Sequence, residues 1–328
     1  MRGAVKLKKY LLGRVVVALV TVFIVITLTF VLMHLIPGTP FNTGNTNMDP
    51  DALAQLEANY GLDKPIFEQY LIYLNNLLHG NFGTSITYTN RSVTEIILRS
   101  FPVSLDLGLR AMIFGIIAGL LLGIEAALHH NKFIDRFSTV VAIVGISVPS
   151  FVLGTLLQLV LGLWFSGWVK TVFHTDFQLF PIARWESFRY TILPSFVLSL
   201  GSIASITRMM RSSMLDVMSQ DYVKTARSKG ISERAVTWRH EIRNALLPVV
   251  TIIGRMVGNL CTGSFVVENL FAIPGLGKYY VNSVTARDYT LTMGLTIFYA
   301  IFIVTSTLLV DIAYGFIDPR ISLAGRKR

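Results

Sequence analysis

The sequence predicts an all-α integral membrane protein with six transmembrane helices, and three observations lead to this prediction. Of its 328 residues, 52% are hydrophobic and only 15% are charged, whereas a soluble domain usually carries about 25% charged residues. The apolar residues are also concentrated in long runs, which is typical of membrane spans. Finally, Lys and Arg are unevenly distributed between these runs, as in proteins with a defined membrane orientation.

The apolar runs are each long enough to cross a bilayer as a helix, which takes about 20 residues. The first, VVVALVTVFIVITLTFVLMHLI at 15–36, holds no Lys, Arg, Asp or Glu. It exceeds the length of a signal-peptide core, and no small-residue cleavage site follows it, so we expect a retained span. Within the second run, Gly119 and Gly123 form a small-residue pair typical of close helix contacts. The five further spans are predicted at 103–128, 138–165, 190–214, 245–267 and 290–316.

The basic residues between the spans predict the orientation of the protein. Six spans place both termini on one side of the membrane, and cytoplasmic segments carry an excess of Lys and Arg. With the termini inside, the inside segments, together with the inner end of the fourth span, hold 19 Lys and Arg residues and the outside segments hold 8. We therefore predict a cytoplasmic N-terminal segment, 1–14, and a cytoplasmic tail, 319–328. The net charge of +10 reflects this asymmetry, so nucleic-acid binding is not expected.

The outside segment 37–100 is too long for a simple connection and is predicted to be a helical external loop. Two short helices are expected in it, since prolines and a capping aspartate stand at their starts and glycines at their ends. The predicted boundary residues are Asp49, Pro50, Gly61, Pro65 and Gly80. Apolar side chains at helical spacing suggest a cap that packs on the membrane domain: Leu53, Leu56, Phe67, Tyr70, Leu71, Leu74 and Leu77. A plug without a partner and a docking surface fit this pattern equally well.

No arrangement of residues in the chain is typical of an enzyme. His240 and Glu241 begin like the zinc motif HExxH, but residue 244 is Asn, so the second zinc ligand is missing. The serine elbow of hydrolases and the phosphate-binding loop of ATPases do not occur. The single cysteine, Cys261, excludes an internal disulfide and lies in an apolar run, as expected for a small core residue. We expect no catalytic residue, no metal site and no cofactor within this chain.

Ionisable residues inside the spans are informative about function, because each is costly in lipid. Asp106 and Arg110 are four residues apart, so they share a helix face and can neutralise each other. Arg255 stands alone in the fifth span. These three residues are compatible with internal pairing and, equally, with a polar wall along a substrate pathway. For Arg208 and Asp311, near the ends of their spans, side chains that reach the interface are the simpler expectation.

The stretch DYVKTARSKGISERAVTWRHEIRNALLP at 221–248 is polar and basic, although apolar runs flank it. Ser219 can cap a first helix, and Gly230 suits the left-handed position that ends it. Ser232 can cap a second helix that runs toward the fifth span. The result is a short helix–turn–helix on the cytoplasmic face. It is either a plain basic interfacial loop or a surface that a partner approaches closely at the small residues Ala226 and Gly230, and composition leaves both interpretations open.

This stretch resembles the ATPase-coupling loop of ABC importer permeases of the peptide/nickel family, which has Y-V-x-T-A-R-x-K-G followed by R-H-x-x-R-N-A-L-x-P. Lys224 and Thr225 stand where the general ABC-permease pattern has Glu and Ala, and Asn81 stands where Asp is usual. The resemblance to the family's first permease subunit extends along nearly the whole chain. The segments concerned are MHLIPGTP (33–40), YGLDKPIFEQYLIYL (60–74), HGNFGTSI (79–86), VENLFAIPGLGKYYVNSVTARDYTL (267–291) and YGFIDPR (314–320).

The resemblance implies the fold of a type I ABC importer permease, with a five-helix core at 103–318 and a coupling loop at 219–243. It implies that the chain forms half of a translocation pathway in a bacterial cell membrane. The implied partners are a second homologous permease, two cytoplasmic ATPase subunits that bind ATP and Mg, and a substrate-binding protein outside. The residues that it assigns to the coupling loop are Asp221, Tyr222, Ala226, Gly230, His240 and Asn244.

Di- or oligopeptides are the cargo we expect from this resemblance, and nickel or a metal–chelate complex is the alternative within the same family. The six histidines are scattered and form no ligand cluster, but cargo choice can reside in the binding protein, so the alternative stays open. Two other classes of function are less favoured. An intramembrane enzyme needs a nucleophile and a base at matching depth in two spans. A self-sufficient carrier often has inverted repeats, and the sequence indicates neither feature.

Overall fold

The computed structural model describes residues 2–36, 41, 49–175 and 178–317, and most of these residues are helical. Among them, the only β pairing is an isolated bridge between Thr84 and Ser92. The helices are α1 (Arg2–His34), α2 (Pro50–Asn59), α3 (Ile66–Leu78), α4 (Val93–Leu128), α5 (Phe133–Ser147), α6 (Ser150–Phe173), α7 (Phe188–Met218), α8 (Asp221–Ser228), α9 (Glu233–Cys261), α10 (Phe265–Leu270), α11 (Leu276–Thr285) and α12 (Tyr289–Ile317).

Six helices of the described ranges are long and apolar enough to cross a membrane, which confirms the predicted all-α fold with six spans. They are Leu12–His34 within α1, the whole of α4, α6, α7 and α9, and Tyr289–Ile312 within α12. The first helix begins at Arg2, so the described part of the predicted N-terminal segment continues the first span without a break. The predicted tail, 319–328, lies outside the described residues, as do 37–40 and 42–48 of the predicted external loop.

The third span differs from the predicted 138–165, because the chain breaks at Pro149. Val148 is extended, with φ −91° and ψ 126°, since the residue before a proline is pushed out of the helical region. Helix α5 therefore ends after 15 residues, which is short for a span. Helix α6, with 24 residues, is the candidate span. The apolar residues continue across the break, so hydropathy gave no sign of it.

The fifth span also differs from the predicted 245–267. Helix α9 begins earlier, at Glu233, and ends at Cys261. Gly263 follows with φ +73°, a left-handed conformation that stops the helix. The Ser264 hydroxyl then accepts a hydrogen bond from the backbone N–H of Val267 at 3.4 Å and caps the short helix α10. No charged residue interrupts the chain at this turn, which explains why the predicted end was too late.

The two helices predicted for the external loop are present with the predicted ends. The Asp49 carboxylate accepts a hydrogen bond from the N–H of Asp51 at 3.4 Å and caps α2. Pro65 directly precedes α3. Gly61 and Gly80 follow the two helices with φ +70° and +72°. Local capping chemistry was therefore sufficient to place both helices.

Helix α3 packs on α1 through aromatic and polar side chains. The Tyr70 hydroxyl lies 2.6 Å from the Thr27 hydroxyl, and a ring nitrogen of His34 lies 2.9 Å from the Gln69 side-chain oxygen. The predicted apolar cap is only partly correct. Of the seven residues proposed to pack, Phe67 is 72% exposed and Leu71 is 49% exposed, so these two lie on the surface of the loop.

The described residues divide into two compact units, one formed by those up to Val103 and from Gly275 on, the other by those within Ser104–Pro274. In the first unit, α12 packs against both α1 and α11. In the second, α7 packs against α5 and α9. Helix α4 approaches α7 closely, since a Cβ on Gly123 would lie 2.7 Å from the Cβ of Met210. Small residues allow such contacts between spans, where the hydrophobic effect does not drive helix association.

A buried carboxylate ties the start of α5 to α7. Asp135 is 4% exposed and accepts hydrogen bonds from Arg211 at 2.5 and 2.8 Å. It also accepts the N–H of Asn131 at 2.9 Å, and the His130 ring lies 3.2 Å away. The Arg211 guanidinium holds the pKa of Asp135 well below its usual range. The carboxylate is therefore charged and fully engaged at neutral pH.

We expect Asp135→Asn to destabilise the protein at pH 7 by about 3 kcal/mol, because Arg211 then loses its partner. The folded-state pKa of Asp135 is lowered. Its contribution to the free energy of unfolding is therefore fully present above the ordinary carboxyl pKa, and it is lost as the pH falls from that value through the lowered pKa. Thermal unfolding of purified protein in detergent, at pH 7 and at decreasing pH, measures both effects. The exposed Asp216→Asn is the matched control and should change little. An equal loss of stability with acid in Asp135→Asn and the parent protein would contradict this account.

Candidate functional site

Residues 219–243, to which the resemblance assigns ATPase coupling and which are named the coupling segment for that reason, consist of two helices joined by a tight turn. Helix α8 is followed by Gly230 with φ +75°, a left-handed conformation that glycine adopts without strain. Ser232 occupies the N-cap position of α9 with an extended backbone, although its side chain makes no capping hydrogen bond. The predicted left-handed residue at Gly230 and the predicted start of the second helix after Ser232 are confirmed.

The start predicted for the first helix was wrong. Helix α7 continues to Met218, beyond the predicted end of the fourth span, so Ser219 lies at the C-terminus of that helix. Its hydroxyl donates to the backbone oxygen of Asp216 at 2.8 Å. Gln220 instead takes the N-cap position of α8, without a side-chain capping bond. Ser219 therefore ends one helix and does not begin the next.

A small apolar core holds α8 against α9. Val223 and Val236 are fully buried and Ala226 is 5% exposed, and these three side chains pack together. Ala226 was expected on a surface that a partner approaches closely. The structure instead places it inside, where its small side chain lets the two helices of the segment lie close together. Gly230 is the small residue that faces open space, since a Cβ there would meet nothing within 4 Å.

A buried ion pair reinforces this contact. Glu241 is fully buried, and its Oε1 accepts a hydrogen bond from Nη2 of Arg227 at 2.9 Å. The Nε of Arg227 also donates to Glu233 at 3.2 Å. The other oxygen of Glu241 has no hydrogen-bond partner within the described ranges, so Arg227 is the group that offsets the buried charge. Sequence reasoning missed this role, because Glu241 was considered only as part of an incomplete zinc motif.

The remaining residues assigned to the coupling segment lie on its surface or at the start of the span. Asp221 is exposed and pairs with Lys224 at 2.9 Å, and Tyr222 is 44% exposed. The Asn244 side chain donates to the backbone oxygen of His240 at 2.6 Å. His240 lies in a π-helical turn that spans Thr237–Ile242. The helix continues without interruption from this turn to Cys261, as the sequence predicted for the attachment to the fifth span.

Two of the three charged residues singled out within the spans neutralise each other. The Nε of Arg110 donates to both carboxylate oxygens of Asp106 at 2.9 Å, and the guanidinium carbon lies 5.7 Å from the centre of the Phe188 ring. Asp311 is also paired, with Arg14 at 3.1 Å. Internal pairing therefore accounts for these four charges.

Arg255, the third residue, behaves differently. It lies with Arg208 on a groove between α7 and α9. Across the part of the chain that the structure describes, neither arginine has a carboxylate within ion-pair distance. The structure thus places both arginines on one groove. From the sequence, Arg208 was expected to reach the membrane interface, and Arg255 was expected either to pair internally or to line a substrate pathway.

The sequence matches the family described as binding-protein-dependent transport system inner membrane component over residues 115–323. It also matches the N-terminal part of such membrane components over residues 7–108. The chain belongs to this family of transport permeases. It is a membrane component of an ABC importer and not an enzyme, as the resemblance in the sequence had implied.

Relatives of this permease are similar to it over almost their full length. It is 42% identical to the dipeptide transport system permease protein DppB of Bacillus subtilis, over 96% of this chain and 98% of the relative. It is 38% identical to the oligopeptide transport system permease protein OppB of Salmonella typhimurium, over 95% of this chain and 99% of the relative. Among solved structures, the inward-facing MetNI methionine ABC transporter matches with a TM-score of 0.48 and 17% identity, over 71% of this chain and 97% of that chain.

We expect Arg227→Ala to lower the free energy of unfolding of the permease, because it leaves the Glu241 carboxylate buried without a partner. The loss should be about 2 kcal/mol, less than for a fully buried pair, because the Arg227 side chain is 36% exposed. Thermal unfolding in detergent measures the effect. Lys224→Ala, which breaks an exposed pair on the same helix, is the matched control and should be nearly neutral.

The double variant Arg227→Ala/Glu241→Gln distinguishes the buried charge from a simple loss of contacts. Removing the charge from Glu241 should restore part of the stability lost in Arg227→Ala, because a neutral amide is less costly to bury than an ionised carboxylate. Losses that simply add in the double variant would show that the ion pair is not what holds α8 on α9.

Proposed function

We propose that this permease is the membrane subunit of an ATP-driven importer for di- or oligopeptides. The observation that carries the proposal is its similarity to permeases named for dipeptides and oligopeptides, at 42% and 38% identity over almost the full length of each. The names of these relatives favour peptides over nickel or a metal chelate. The cargo then crosses a pathway of which this chain forms half.

The proposed complex contains a second homologous permease, two cytoplasmic ATPase subunits and an external substrate-binding protein. The family description, binding-protein-dependent transport, supports the last of these. ATP and Mg are bound by the ATPase subunits, and this chain supplies the path and the mechanical connection. The excess of Lys and Arg in the inside segments supports cytoplasmic termini and a cytoplasmic coupling segment in a bacterial cell membrane.

The coupling segment transmits movement of the ATPase to the spans. Helix α8 is held against α9 by the core around Val223 and by the Arg227–Glu241 pair. A displacement of α8 therefore moves the start of α9 with it. Since α9 runs without a break from Glu233 to Cys261, the displacement reaches the membrane-spanning part of the helix.

The partner meets the exposed face of the segment, which carries Asp221, Tyr222 and Gly230. Exposed ion pairs contribute little individually, and the Asp221–Lys224 pair is of this kind, since the Asp221 side chain is 97% exposed. Close approach of the partner to the backbone at Gly230, which carries no side chain, is therefore more important for coupling than any single charge.

We expect Gly230→Val to reduce peptide uptake and substrate-stimulated ATP hydrolysis by the assembled complex by at least about tenfold. A β-branched residue is strained at φ +75°, and its side chain blocks close approach of the ATPase. Lys229→Ala, which removes one neighbouring exposed charge, should be mild. Insertion of the spans and recovery of all subunits are the controls. Normal coupling by a well-expressed Gly230→Val complex would leave the segment as a positively charged topological anchor.

Uptake of labelled cargo tests the proposed cargo. In a bacterial strain that lacks this permease, reintroducing it should restore uptake of a labelled dipeptide or oligopeptide, and uptake should require ATP. Restored uptake of labelled nickel, without any uptake of peptide, would overturn the peptide proposal in favour of a metal. Uptake by vesicles that contain only this chain, without ATP, would overturn the assignment to an ATP-driven complex.

A further inference from the structure

A polar groove runs between α7 and α9, two helices that are both candidate membrane spans. It has a volume of about 560 Å³. Five polar side chains contribute to its lining, three from α7 and two from α9: Ser205, Arg208, Ser212, Arg255 and Asn259. Such a concentration of polar groups is unusual between two spans, since polar residues within a span are costly and are commonly functional.

The polar residues form a stripe along the groove. On α7 they are at positions 205, 208 and 212, which lie on one helix face. On α9 they are at positions 255 and 259, one turn apart. At a rise of 1.5 Å per residue, the stripe on α7 extends over about 10 Å. A single contact with one neighbouring side chain requires one polar group. A molecule that lies along the helices, or moves past them, requires polar groups over such a length.

The charge of the groove is positive and is not neutralised by the chain itself. Arg208 and Arg255 are both exposed, and neither is within ion-pair distance of a carboxylate in the described ranges. By contrast, Arg110 and Arg211 each bond an aspartate of the same unit. An arginine inside a span without such a partner must face water or an anion from outside the chain.

We propose that Arg208 and Arg255 form an anion site that binds the terminal carboxylate of a peptide in transit. This proposal rests on the proposed function of the permease. Guanidinium groups match a carboxylate geometrically and bond it through charge-assisted hydrogen bonds. Every unmodified peptide carries this carboxylate whatever its sequence, so a site that recognises it accepts many different peptides.

The other lining residues suit a peptide of varied sequence. The side chains of Ser205, Ser212 and Asn259 offer donors and acceptors for backbone amides. Met209 and Met256, which also line the groove, have flexible and polarisable side chains that adapt to different apolar groups. Because the groove is open and both arginines are exposed, binding is weak, as transport requires when cargo must leave again.

The test compares variants of the complete importer in peptide uptake. We expect Arg208→Gln/Arg255→Gln to lower the uptake of a tripeptide with a free C-terminus about tenfold, since one charge-assisted interaction is lost. Arg208→Lys/Arg255→Lys should retain most of the uptake, and Arg208→Glu/Arg255→Glu should be lower than the Gln variant. Arg136→Gln, an exposed arginine outside the candidate spans, is the matched control and should behave as the parent protein.

The same peptide as its C-terminal amide provides a second measurement. The amidated peptide has no terminal carboxylate, so uptake by the Gln variant divided by uptake by the parent importer should be close to one. Any effect of the binding protein cancels in this ratio, because the binding protein is the same in both. If the parent importer does not take up the amide, the free peptide alone tests the anion site. Its uptake should then decrease in the order parent protein, Lys variant, Gln variant, Glu variant, and any other order would contradict the site.

Three outcomes would overturn the anion site. The first is parent-like uptake of the free peptide by the Gln variant. The second is an equal fall for the free and amidated peptides, which would indicate a general role in lining the path. The third is loss of the second permease from the purified complex, which would assign the arginines to a subunit interface. Absence of peptide uptake by the parent importer would instead overturn the proposed function itself.

Discussion

An ionised side chain inside a span must meet an opposite charge or water, because lipid offers neither. Four charged side chains of the candidate spans meet the first condition. Arg110 bonds Asp106 on the same helix face, and Arg14 of α1 pairs with Asp311 of α12. A pair that joins two helices also favours one register between them, since a shift would leave both charges unpaired. Arg208 and Arg255 have no such partner within the described residues and are exposed on their groove, where their positive charge is available to a group from outside the chain.

The same constraint explains how a short polar helix becomes attached to an apolar span. An eight-residue helix such as α8 is not stable alone. Besides the small apolar core around Val223 and Ala226, Arg227 holds α8 to α9 by neutralising the Glu241 carboxylate, which would otherwise be buried without a partner. Force applied to α8 is therefore carried by an ion pair and a small core into a continuous helix. The proposed coupling role depends on this connection, which a flexible basic loop would not supply.

Close packing in the second unit depends on small residues. At Gly108 of α4, a Cβ would collide with the backbone of Leu260 in α9, and at Gly123 it would collide with Met210 of α7. The hydrophobic effect does not bring helices together in lipid, so contact area and backbone approach decide the association. Helix α7, which lies against α5 and α9 and meets α4 at Gly123, is accordingly the most buried of the six candidate spans.

The sequence by itself determined the features that depend on neighbouring residues. Apolar runs predicted six spans, and capping residues placed α2, α3 and the turn at Gly230, because a helix end is decided within a few positions. Hydropathy did not reveal the break at Pro149 or the turn at Gly263, since it measures side chains and not backbone conformation. Only the tertiary structure decided which charges meet. Arg211 and Asp135 are 76 positions apart, and Arg227 and Glu241 are 14 apart. The tertiary structure also placed Ala226 inside the coupling segment. The sequence could not decide this, because a small residue suits both a close internal contact and an exposed surface. The rotation of α8 against α9 determines which of the two positions Ala226 takes.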